Sequence, residues 1–447
     1  MRRFPVSAAL TIATLGTLMA VLPRLAPALK GPQLTELSAL ADFTPERTPL
    51  SPLTRHVEDA PQPMFHLRRK DTPPLLADSN GGLDHFYESL ARTERREPGA
   101  ITRVAHYGDS PTTADLITGD IRAMLQERFG DGGHGFILLG KPWAWYQHRG
   151  ASLSGSGWQI FPATRSETKD GMFGLGGVNF AGGATARTSI ELDDPGQSHF
   201  DLYFLREPGG GEVEVFANRA EAVRISTEGD KASPGFAAFD VPGGGSSLEL
   251  KADGPVRLFG ITAEKPGPGV VYDSIGLNGA SITILSRRFN AAHWTAELQH
   301  RRPDLVTINY GTNEADFDDF IYRQYEKELR EAIRRVHAAL PDASVLVMSP
   351  MDRGYRTGPG DIETMETIPR IVDIQRRVAL DTGCGFFDTY DAMGGAGTMS
   401  RWYNAQPRLV SADFIHPYPA GGKIVAAAFV KQIESGLARY KLRRLER

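Results

Sequence analysis

Three residues of the chain have the types and setting needed for ester hydrolysis. Ser110 follows a run of β-forming residues and precedes residues that recur at helical spacing, so its hydroxyl can lie at a strand-to-helix turn, where a nucleophile is exposed. A serine nucleophile needs a base, usually histidine, that a carboxylate holds in orientation. Asp413 and His416 have this chemistry and precede the last predicted helix, where a loop can reach the carboxyl ends of strands. The alternative for Ser110 is a helix cap, a role that Thr112 could equally fill.

The same Asp-x-x-His spacing occurs a second time, at Asp131 and His134. This pair lies in residues 130–135, a glycine-rich stretch after the first predicted helix that is typical of a turn. Position therefore favours Asp413 and His416 as the catalytic pair.

Acyl transfer also needs hydrogen-bond donors aimed at the oxygen of the tetrahedral intermediate. Asn313 follows a predicted strand and could point its amide into the same crevice, although an ordinary turn residue is the alternative. Gly279 follows another strand-like run and could offer its backbone N–H, although a bulge or a helix entry fits its spacing equally well. Together with the backbone N–H of Ser110, these groups form the predicted oxyanion hole.

Two groups of side chains are candidates for contact with a substrate. Trp143, Trp145 and Tyr146 could stack on sugar rings, although core packing is the alternative for two of the three. Arg353 and Arg356 follow a predicted strand and could bind a carboxylate of a glycan, or they could be solvated loop charges.

Composition excludes several classes of protein. The 447 residues include 50 Lys+Arg and 54 Asp+Glu, a net charge of -4 that gives no electrostatic footprint for a nucleic-acid binder. A single cysteine, Cys384, cannot form an intramolecular disulfide or a Cys-rich zinc site. The 11 histidines show no ligand spacing, so we predict neither a metal nor a cofactor.

The order of strand and helix signals predicts an α/β domain interrupted by a β domain. Strands at 101–107, 305–309 and 344–348 alternate with helical segments, including one that runs from 321 to 336, which implies a doubly wound parallel sheet. Between about 150 and 268, short alternating runs are separated by glycine-rich turns, as in a β-sandwich. The predicted divisions are an export signal or anchor at 1–28, a Pro-rich linker at 29–85, a hydrolase domain in two parts at 86–148 and 269–440, an inserted β-sandwich at 149–268 and a basic tail at 441–447.

The N-terminus has the features of an export signal. Arg2 and Arg3 precede an uncharged stretch at 4–23 and a small-residue A-x-A site at 26–28. About 20 apolar residues can also span a bilayer, so an uncleaved inner-membrane anchor is the alternative. Both interpretations predict that the body of the protein lies in the periplasm or cell envelope.

The chain resembles the SGNH (GDSL) hydrolase family, whose four sequence blocks appear here in order. Gly108-Asp109-Ser110 resembles the first block, Gly279 the second, Gly311-Thr312-Asn313 the third and Asp413-Phe414-Ile415-His416 the last. The similarity covers roughly residues 86–148 and 269–440. The chain departs from the family pattern at Pro111, after the serine, and at Glu314, where Asp is usual. Gly276 is the alternative to Gly279 for the second block.

The resemblance implies a flavodoxin-like SGNH fold and a serine esterase that needs no cofactor. A β domain inserted after the first block also resembles the carbohydrate-binding-like jelly roll of bacterial peptidoglycan O-acetylesterases. The expected function is therefore removal of O-acetyl groups from an envelope polysaccharide, with peptidoglycan as the expected polymer. The expected partners are an acetylated polysaccharide and, through the N-terminal segment, the membrane. The alternatives are an O-acetyltransferase with the same triad and a non-catalytic glycan-binding envelope protein.

Overall fold

The computed structural model describes residues 73–78, 81–165, 168, 170–358 and 360–446. The predicted export segment at 1–28 lies outside the described residues, as do residues 29–72 of the predicted linker. The strands are β1 (Leu76–Ala77), β2 (Ile101–Gly108), β3 (Gly133–Ile137), β4 (Ala151–Ser156), β5 (Gln159–Pro162), β6 (Val178–Gly182), β7 (Arg187–Leu192), β8 (Gln197–Arg206), β9 (Glu212–Ala217), β10 (Ala220–Ser226), β11 (Ser233–Gly245), β12 (Ser247–Asp253), β13 (Val256–Glu264), β14 (Gly269–Gly276), β15 (Leu305–Asn309), β16 (Ser344–Met348), β17 (Gly354–Arg356), β18 (Ile362–Thr364) and β19 (Gly385–Phe387). The α-helices are α1 (Asp84–Glu94), α2 (Ser110–Thr113), α3 (Thr118–Phe129), α4 (Ala291–Arg301), α5 (Asp318–Arg323), α6 (Tyr325–Ala339), α7 (Thr367–Asp381), α8 (Thr389–Ala392), α9 (Thr398–Asn404) and α10 (Pro419–Leu445), with a π-helix at Ile284–Arg288 and a 3-10 helix at Glu314–Asp316.

The hydrolase part is built on a mainly parallel sheet with the strand order β1-β19-β16-β15-β2-β14. β14 and β15 pair in parallel with opposite edges of β2, whereas β1 is antiparallel to β19. Leaving out β1, the chain order of the strands is 2-1-3-4-5, the flavodoxin-like arrangement. β16 is buried throughout, as expected when helices cover both faces of a sheet. The predicted doubly wound α/β fold is confirmed, and its switch point lies between β2 and β15.

The inserted block forms two antiparallel sheets. One has the order β10-β9-β12-β7-β4, and the other has the order β11-β8-β13-β6-β5 with β3 added on β13. Buried and more exposed residues alternate along β9 and β12, so each strand turns one face towards the interior. The predicted inserted β-sandwich is therefore confirmed. Its boundary is less sharp than predicted, because β3 belongs by sequence to the first hydrolase part and pairs with a strand of the insert.

Buried charges join the insert to the hydrolase body. Arg301, at the end of α4, donates from Nε to Asp273 at 2.6 Å and from Nη1 to Glu264 at 2.5 Å. Glu264 ends β13 and also binds Arg103 of β2 through two hydrogen bonds of 2.9 and 2.6 Å. Removing one partner of such a buried network leaves an uncompensated charge, at a cost of about 3–5 kcal/mol. This network holds the insert in a defined position on the hydrolase sheet.

Three features differ from the sequence prediction. The end of the predicted linker is structured, because Leu76–Ala77 forms an antiparallel edge of the hydrolase sheet and α1 begins at Asp84. The helical segment predicted from 321 to 336 is divided at Gln324 into α5 and α6. The predicted basic tail continues α10 to Leu445 instead of forming a separate segment.

Two cations of this helical tail have partners on α1. Lys441 pairs with Glu94, and Arg443 pairs with Asp84.

Among the residues that the structure describes, no helix combines the length and the apolar character needed to cross a bilayer.

Candidate active site

Ser110 lies where β2 turns into α2, at the switch point of the sheet. Two glycines allow α2 to approach the strands closely. A Cβ at Gly108 would lie 2.1 Å from Thr112 Oγ1, and one at Gly276 would lie 2.0 Å from the backbone nitrogen of Thr113. Gly276, the alternative for the second block, thus has a packing role beneath the nucleophile. The turn leaves Ser110 8% exposed, so its position is fixed by packing.

A continuous chain of hydrogen bonds links Ser110, His416 and Asp413. Ser110 Oγ lies 2.7 Å from His416 Nε2, although the two residues are 306 positions apart. His416 Nδ1 lies 2.6 Å from Asp413 Oδ2. Because a carboxylate accepts, Nδ1 carries the imidazole proton and Nε2 is left to accept the proton of the serine. The structure brings together the nucleophile, base and carboxylate that the sequence predicts.

The Asp413 carboxylate is fixed on its other side as well. Its Oδ1 accepts hydrogen bonds from the backbone N–H of Ile415 at 2.9 Å and of His416 at 3.0 Å, and from the Ser411 hydroxyl. Burial alone would raise the pKa of Asp413, but the hydrogen bonds from His416 and Ser411 outweigh it and lower the pKa below its usual value. Asp413 is therefore ionised at neutral pH.

The same contact makes His416 a stronger base. Its hydrogen bond to Asp413 raises the pKa of His416, whereas partial burial acts in the opposite direction. The side chains of His416 and Asp413 are 40% and 45% exposed, so the outer side of the pair is open to solvent. The imidazole can thus exchange protons with a bound substrate and with water.

Phe414 holds the turn that contains the pair. It has a φ of 58°, an unusual conformation for a bulky residue, which reverses the chain between Asp413 and His416. Its ring is buried against Tyr403 and lies 4.9 Å below the Arg356 guanidinium. Arg356, a candidate for glycan contact, therefore stacks on the catalytic loop.

The two predicted oxyanion segments are joined to each other. Asn313 Nδ2 donates to the carbonyl of Ala280 at 2.8 Å, which leaves its second amide hydrogen for another acceptor. Gly279 has a φ of 72°, a conformation that favours glycine, and a Cβ there would meet open space. The adjacent backbone and amide donors stay predictions for the oxyanion hole, together with the backbone N–H of Ser110.

Glu314, which replaces the usual Asp of the family, anchors both oxyanion segments. Its Oε1 accepts from the backbone N–H of Ile282 at 2.7 Å, and its Oε2 accepts from that of Gly311 at 3.1 Å. Burial raises the pKa of Glu314 to about 7. Glu314 therefore has a structural role, because its carboxylate reaches both loops.

Arg353 also positions the third block. Its Nη1 donates to the carbonyl of Thr312, and its Nη2 donates to Asp316 Oδ2, both at 2.7 Å. Arg353, predicted as either a glycan contact or a solvated loop charge, thus holds the loop that contains Asn313. Near Arg353, burial raises the pKa of Asp109 to about 6. The hydrogen bond from Thr312 and the charge of His416 act in the opposite direction and lower this pKa. Sequence gave no signal for these contacts, because they join segments far apart in the chain.

The three aromatic candidates divide into core and surface. Trp143 and Tyr146 are 4% and 3% exposed and pack in the hydrophobic core, which confirms the core alternative for two of the three. Trp145 is 47% exposed. Two residues after Trp145, the backbone N–H of Gln147 donates to the carbonyl of Thr113 in α2. Trp145 therefore lies on a segment that is hydrogen-bonded to the helix of the nucleophile.

Comparison with known proteins gives three similarities. A model of the GDSL-like lipase/acylhydrolase family matches residues 247–424, which include the second, third and last blocks. An acetylxylan esterase from Geobacillus stearothermophilus is 25% identical over 184 residues, covering 39% of this chain and 76% of that protein. A solved structure of a peptidoglycan O-acetylesterase has 24% identity and a TM-score of 0.71, covering 82% of this chain and 100% of that chain.

The fold and the family match make the chain similar to ester hydrolases of the GDSL (SGNH) type. Within that class, the chain shares its fold with the peptidoglycan O-acetylesterase over more than the hydrolase body. The part of the chain left uncovered by that structure is smaller than residues 149–268, so the likeness includes at least part of the inserted sandwich. The family match begins at residue 247, downstream of Ser110, so it does not include the first block.

Proposed function

We propose that the protein is an exported serine esterase that removes O-acetyl groups from a polysaccharide of the cell envelope, with peptidoglycan as the polymer. The observation that carries this proposal is the chain of hydrogen bonds from Ser110 through His416 to Asp413, at 2.7 and 2.6 Å. A glycan-binding protein has no need of an aligned nucleophile, base and carboxylate. The geometry therefore favours an enzyme with a covalent intermediate.

In the first half-reaction, Ser110 Oγ attacks the acetyl carbonyl carbon while His416 Nε2 accepts its proton. The tetrahedral intermediate collapses by breaking the bond from the acetyl carbon to the sugar oxygen, and His416 gives its proton to that oxygen. The deacetylated glycan leaves, and the acetyl group stays on Ser110. Asp413 holds the imidazole and stabilises its charged form throughout.

In the second half-reaction, water takes the place of the sugar hydroxyl. His416 accepts a proton from the water as its oxygen attacks the acetyl carbon, and the proton returns to Ser110 Oγ when acetate is released. The amide of Asn313 and the backbone N–H groups of Gly279 and Ser110 would stabilise the negative oxygen in both halves. Each such donor is worth about 2.7–4 kcal/mol of barrier.

Three observations support a carbohydrate substrate. The acetylxylan esterase and the peptidoglycan O-acetylesterase act on acetylated glycans by name. The likeness to the second extends into the inserted sandwich. Trp145 presents an exposed indole on a segment bonded to α2, and such a surface can stack on a sugar ring.

Export is supported by the sequence of the first 28 residues. Arg2 and Arg3, the uncharged stretch and the A-x-A site are the parts of a secretory signal, and an uncleaved segment would tether the enzyme to the inner membrane. Either form would put the esterase in the compartment that holds peptidoglycan. Mass spectrometry of the mature N-terminus distinguishes the two forms.

The function is tested by measuring acetate release from O-acetylated peptidoglycan and from acetylxylan, with Ser110→Ala as the control. We expect release from peptidoglycan that the control lacks. Wild-type release equal to that of Ser110→Ala would reject the esterase. If an added oligosaccharide acceptor becomes acetylated as the main product, the protein is instead an O-acetyltransferase with the same triad.

A further inference from the structure

A shallow pocket of about 460 Å³ lies beside the predicted oxyanion loop. The insert contributes Thr164 to its wall, and the hydrolase body contributes the segment from Gly279 to Arg288. The residues of the Ser110–His416–Asp413 chain do not line this pocket. Its lining nevertheless shares Gly279 with the predicted oxyanion hole, so a group bound in it would belong to the substrate beside the ester.

The pocket presents hydrogen-bond donors and positive charge. The hydroxyls of Ser281 and Thr283 face each other at 2.6 Å. The buried Thr164 hydroxyl has no hydrogen-bond partner in the described part of the chain. Arg287 is 60% exposed, and its contact with Glu328 is 3.7 Å, longer than the roughly 2.7–2.9 Å of a charge-assisted hydrogen bond.

The two arginines of the pocket have different tasks. Arg288 donates to the carbonyl of Ala163 at 3.1 Å and lies over the ring of Phe173, so it attaches the insert to the pocket wall. Arg287 points its guanidinium towards solvent at the pocket edge. Arg287 therefore supplies an exposed positive charge at the pocket edge, and its partner Glu328 lies 3.7 Å away.

The backbone that carries Arg287 has an uncommon form. Ile284–Arg288 is a π-helix, a conformation found as short turns at functional sites. Buried Arg335 supports it by donating to the carbonyls of Leu285, at 2.5 Å, and Phe289, at 2.7 Å. This support fixes the direction in which Arg287 leaves the chain.

The pocket is also tied to the oxyanion loop through the backbone. Asn313 donates to the carbonyl of Ala280, and Glu314 accepts from the N–H of Ile282. Both contacts fall between Gly279 and Thr283, the same stretch that lines the pocket. A ligand group held by Arg287 would therefore be placed relative to the reacting carbonyl.

We propose that this pocket binds a carboxylate of the acetylated glycan, so that the enzyme selects an acidic polymer over a neutral one. The proposal rests on the proposed function and adds a substrate class to it. A guanidinium with nearby hydroxyls matches a carboxylate, which accepts several hydrogen bonds and carries the opposite charge. Peptidoglycan carries such carboxylates on its peptides, whereas acetylxylan backbones are neutral. The insert takes part in recognition through Thr164.

The test compares Arg287→Gln with Arg323→Gln, a matched control. Arg323 is an exposed arginine with a carboxylate of Asp319 at the same distance, 3.7 Å, but it lies on α5 outside this pocket. Each substitution is made in full-length protein that also carries Ser110→Ala, so that binding is read without turnover. The probes are soluble peptidoglycan strands with free carboxylates and the same strands after amidation of those carboxylates.

We expect the parent protein to prefer the carboxylated strands and Arg287→Gln to bind them about tenfold more weakly, as for the loss of one charge-assisted hydrogen bond. Thr164→Val should weaken binding by a smaller factor, about threefold. Arg323→Gln should bind as the parent does. Equal affinity of the parent for both kinds of strand, or identical behaviour of the two arginine variants, would overturn the subsite. Failure of the esterase proposal would appear instead as absent acetate release by the wild-type enzyme, which this binding assay does not measure.

Discussion

Two segments of the chain, residues 131–134 and 413–416, have the same Asp-x-x-His spacing and differ in the contact that matters for catalysis. In the second segment, the Asp413 carboxylate binds the His416 imidazole at 2.6 Å. The opposite imidazole nitrogen reaches Ser110 at 2.7 Å. The pair lies in a loop at the switch point and is partly open to solvent.

In the first segment the carboxylate is used elsewhere. Asp131 accepts from the backbone N–H of Gly133 at 2.8 Å and from the Lys265 ammonium at 2.5 Å, so it holds a turn and a neighbouring strand end. His134 lies on β3, buried against the ring of His148. Its Nε2 has no hydrogen-bond partner within the described ranges of the chain.

The difference is visible in the direction of each histidine pKa. The hydrogen bond to Asp413 raises the pKa of His416, whereas burial lowers the pKa of His134 and nearby Arg122 lowers it further. The spacing of two residues therefore does not define a catalytic pair. The fold decides, by directing the carboxylate either to the imidazole or away from it.

Substitution of the histidine in each segment should give the largest difference in kcat between the two segments. We expect His416→Ala, like Ser110→Ala, to lower kcat on a chromogenic acetyl ester by about a millionfold, because nucleophile and base act as one unit. His134→Gln should keep turnover of the wild-type order. Equal losses for His134→Gln and His416→Ala would break the comparison, provided that circular dichroism shows both variants folded.

Amide substitution of the two carboxylates should give the next largest contrast. Asp413→Asn keeps the shape but can no longer fix the tautomer of His416 by accepting the Nδ1 proton, and we expect kcat to fall about ten-thousandfold. Asp131→Asn should leave kcat near the wild-type value, since Asp131 contacts no catalytic group. Steady-state kinetics of the two variants at one pH checks this, and a small effect of Asp413→Asn would contradict the assigned role of its carboxylate.

Loss of the Asn313 amide tests the donors that surround the catalytic pair. Asn313→Ala should reduce kcat by about a hundredfold to a thousandfold, the effect of removing one oxyanion donor. Asn404→Ala is the matched control, because Asn404 donates to Ser400 within α9, away from the oxyanion segments. Measurement of kcat for the two variants checks this prediction. If both variants show similar small effects, Asn313 is not a donor of the oxyanion hole.

The two histidines should affect stability with opposite signs. Because the folded-state pKa of His134 is depressed, the unfolded chain binds more protons below about pH 6.5, and the free energy of unfolding falls as pH drops through that range. His416 has a raised pKa, so its contribution is present at acid pH and is lost as pH rises through the folded pKa.

The measurement is urea unfolding between about pH 7 and pH 5. His134→Gln should reduce the acid loss by up to about 1.4 kcal/mol per pH unit, the most that one proton can contribute. His416→Gln should not reduce it. An unchanged slope in His134→Gln would show that His134 is not held neutral by the fold.

Features of the molecule that depend on local sequence signals could be predicted. The turn after β2, the loop before α10 and the alternating strands of the insert each have a composition that indicates their structure. The parallel order of strands then brings Ser110 and the loop of Asp413 and His416 to one edge of the sheet. For this reason the catalytic residues could be predicted from the sequence.

Features that depend on pairing between distant segments could not be predicted from the sequence. Glu314 holds two backbone segments, Arg353 binds inside the third-block loop, and β3 pairs with the insert. The helical end of α10 pairs with carboxylates of α1 more than 300 positions away. None of these contacts leaves a periodic or compositional trace, so the sequence predicted a separate basic tail and an Arg353 that either contacts the glycan or is a solvated loop charge.

The fold activates Ser110 through His416, and the whole mechanism depends on this activation. The most direct test is reaction of the full-length protein with a fluorophosphonate, which labels serines that an adjacent base activates, followed by peptide mass spectrometry. We predict one phosphonyl group, on Ser110, with labelling strongly slowed in Asp413→Asn and unchanged in Asp131→Asn. Labelling of another residue, or labelling of Ser110 that is indifferent to Asp413→Asn, would contradict the account.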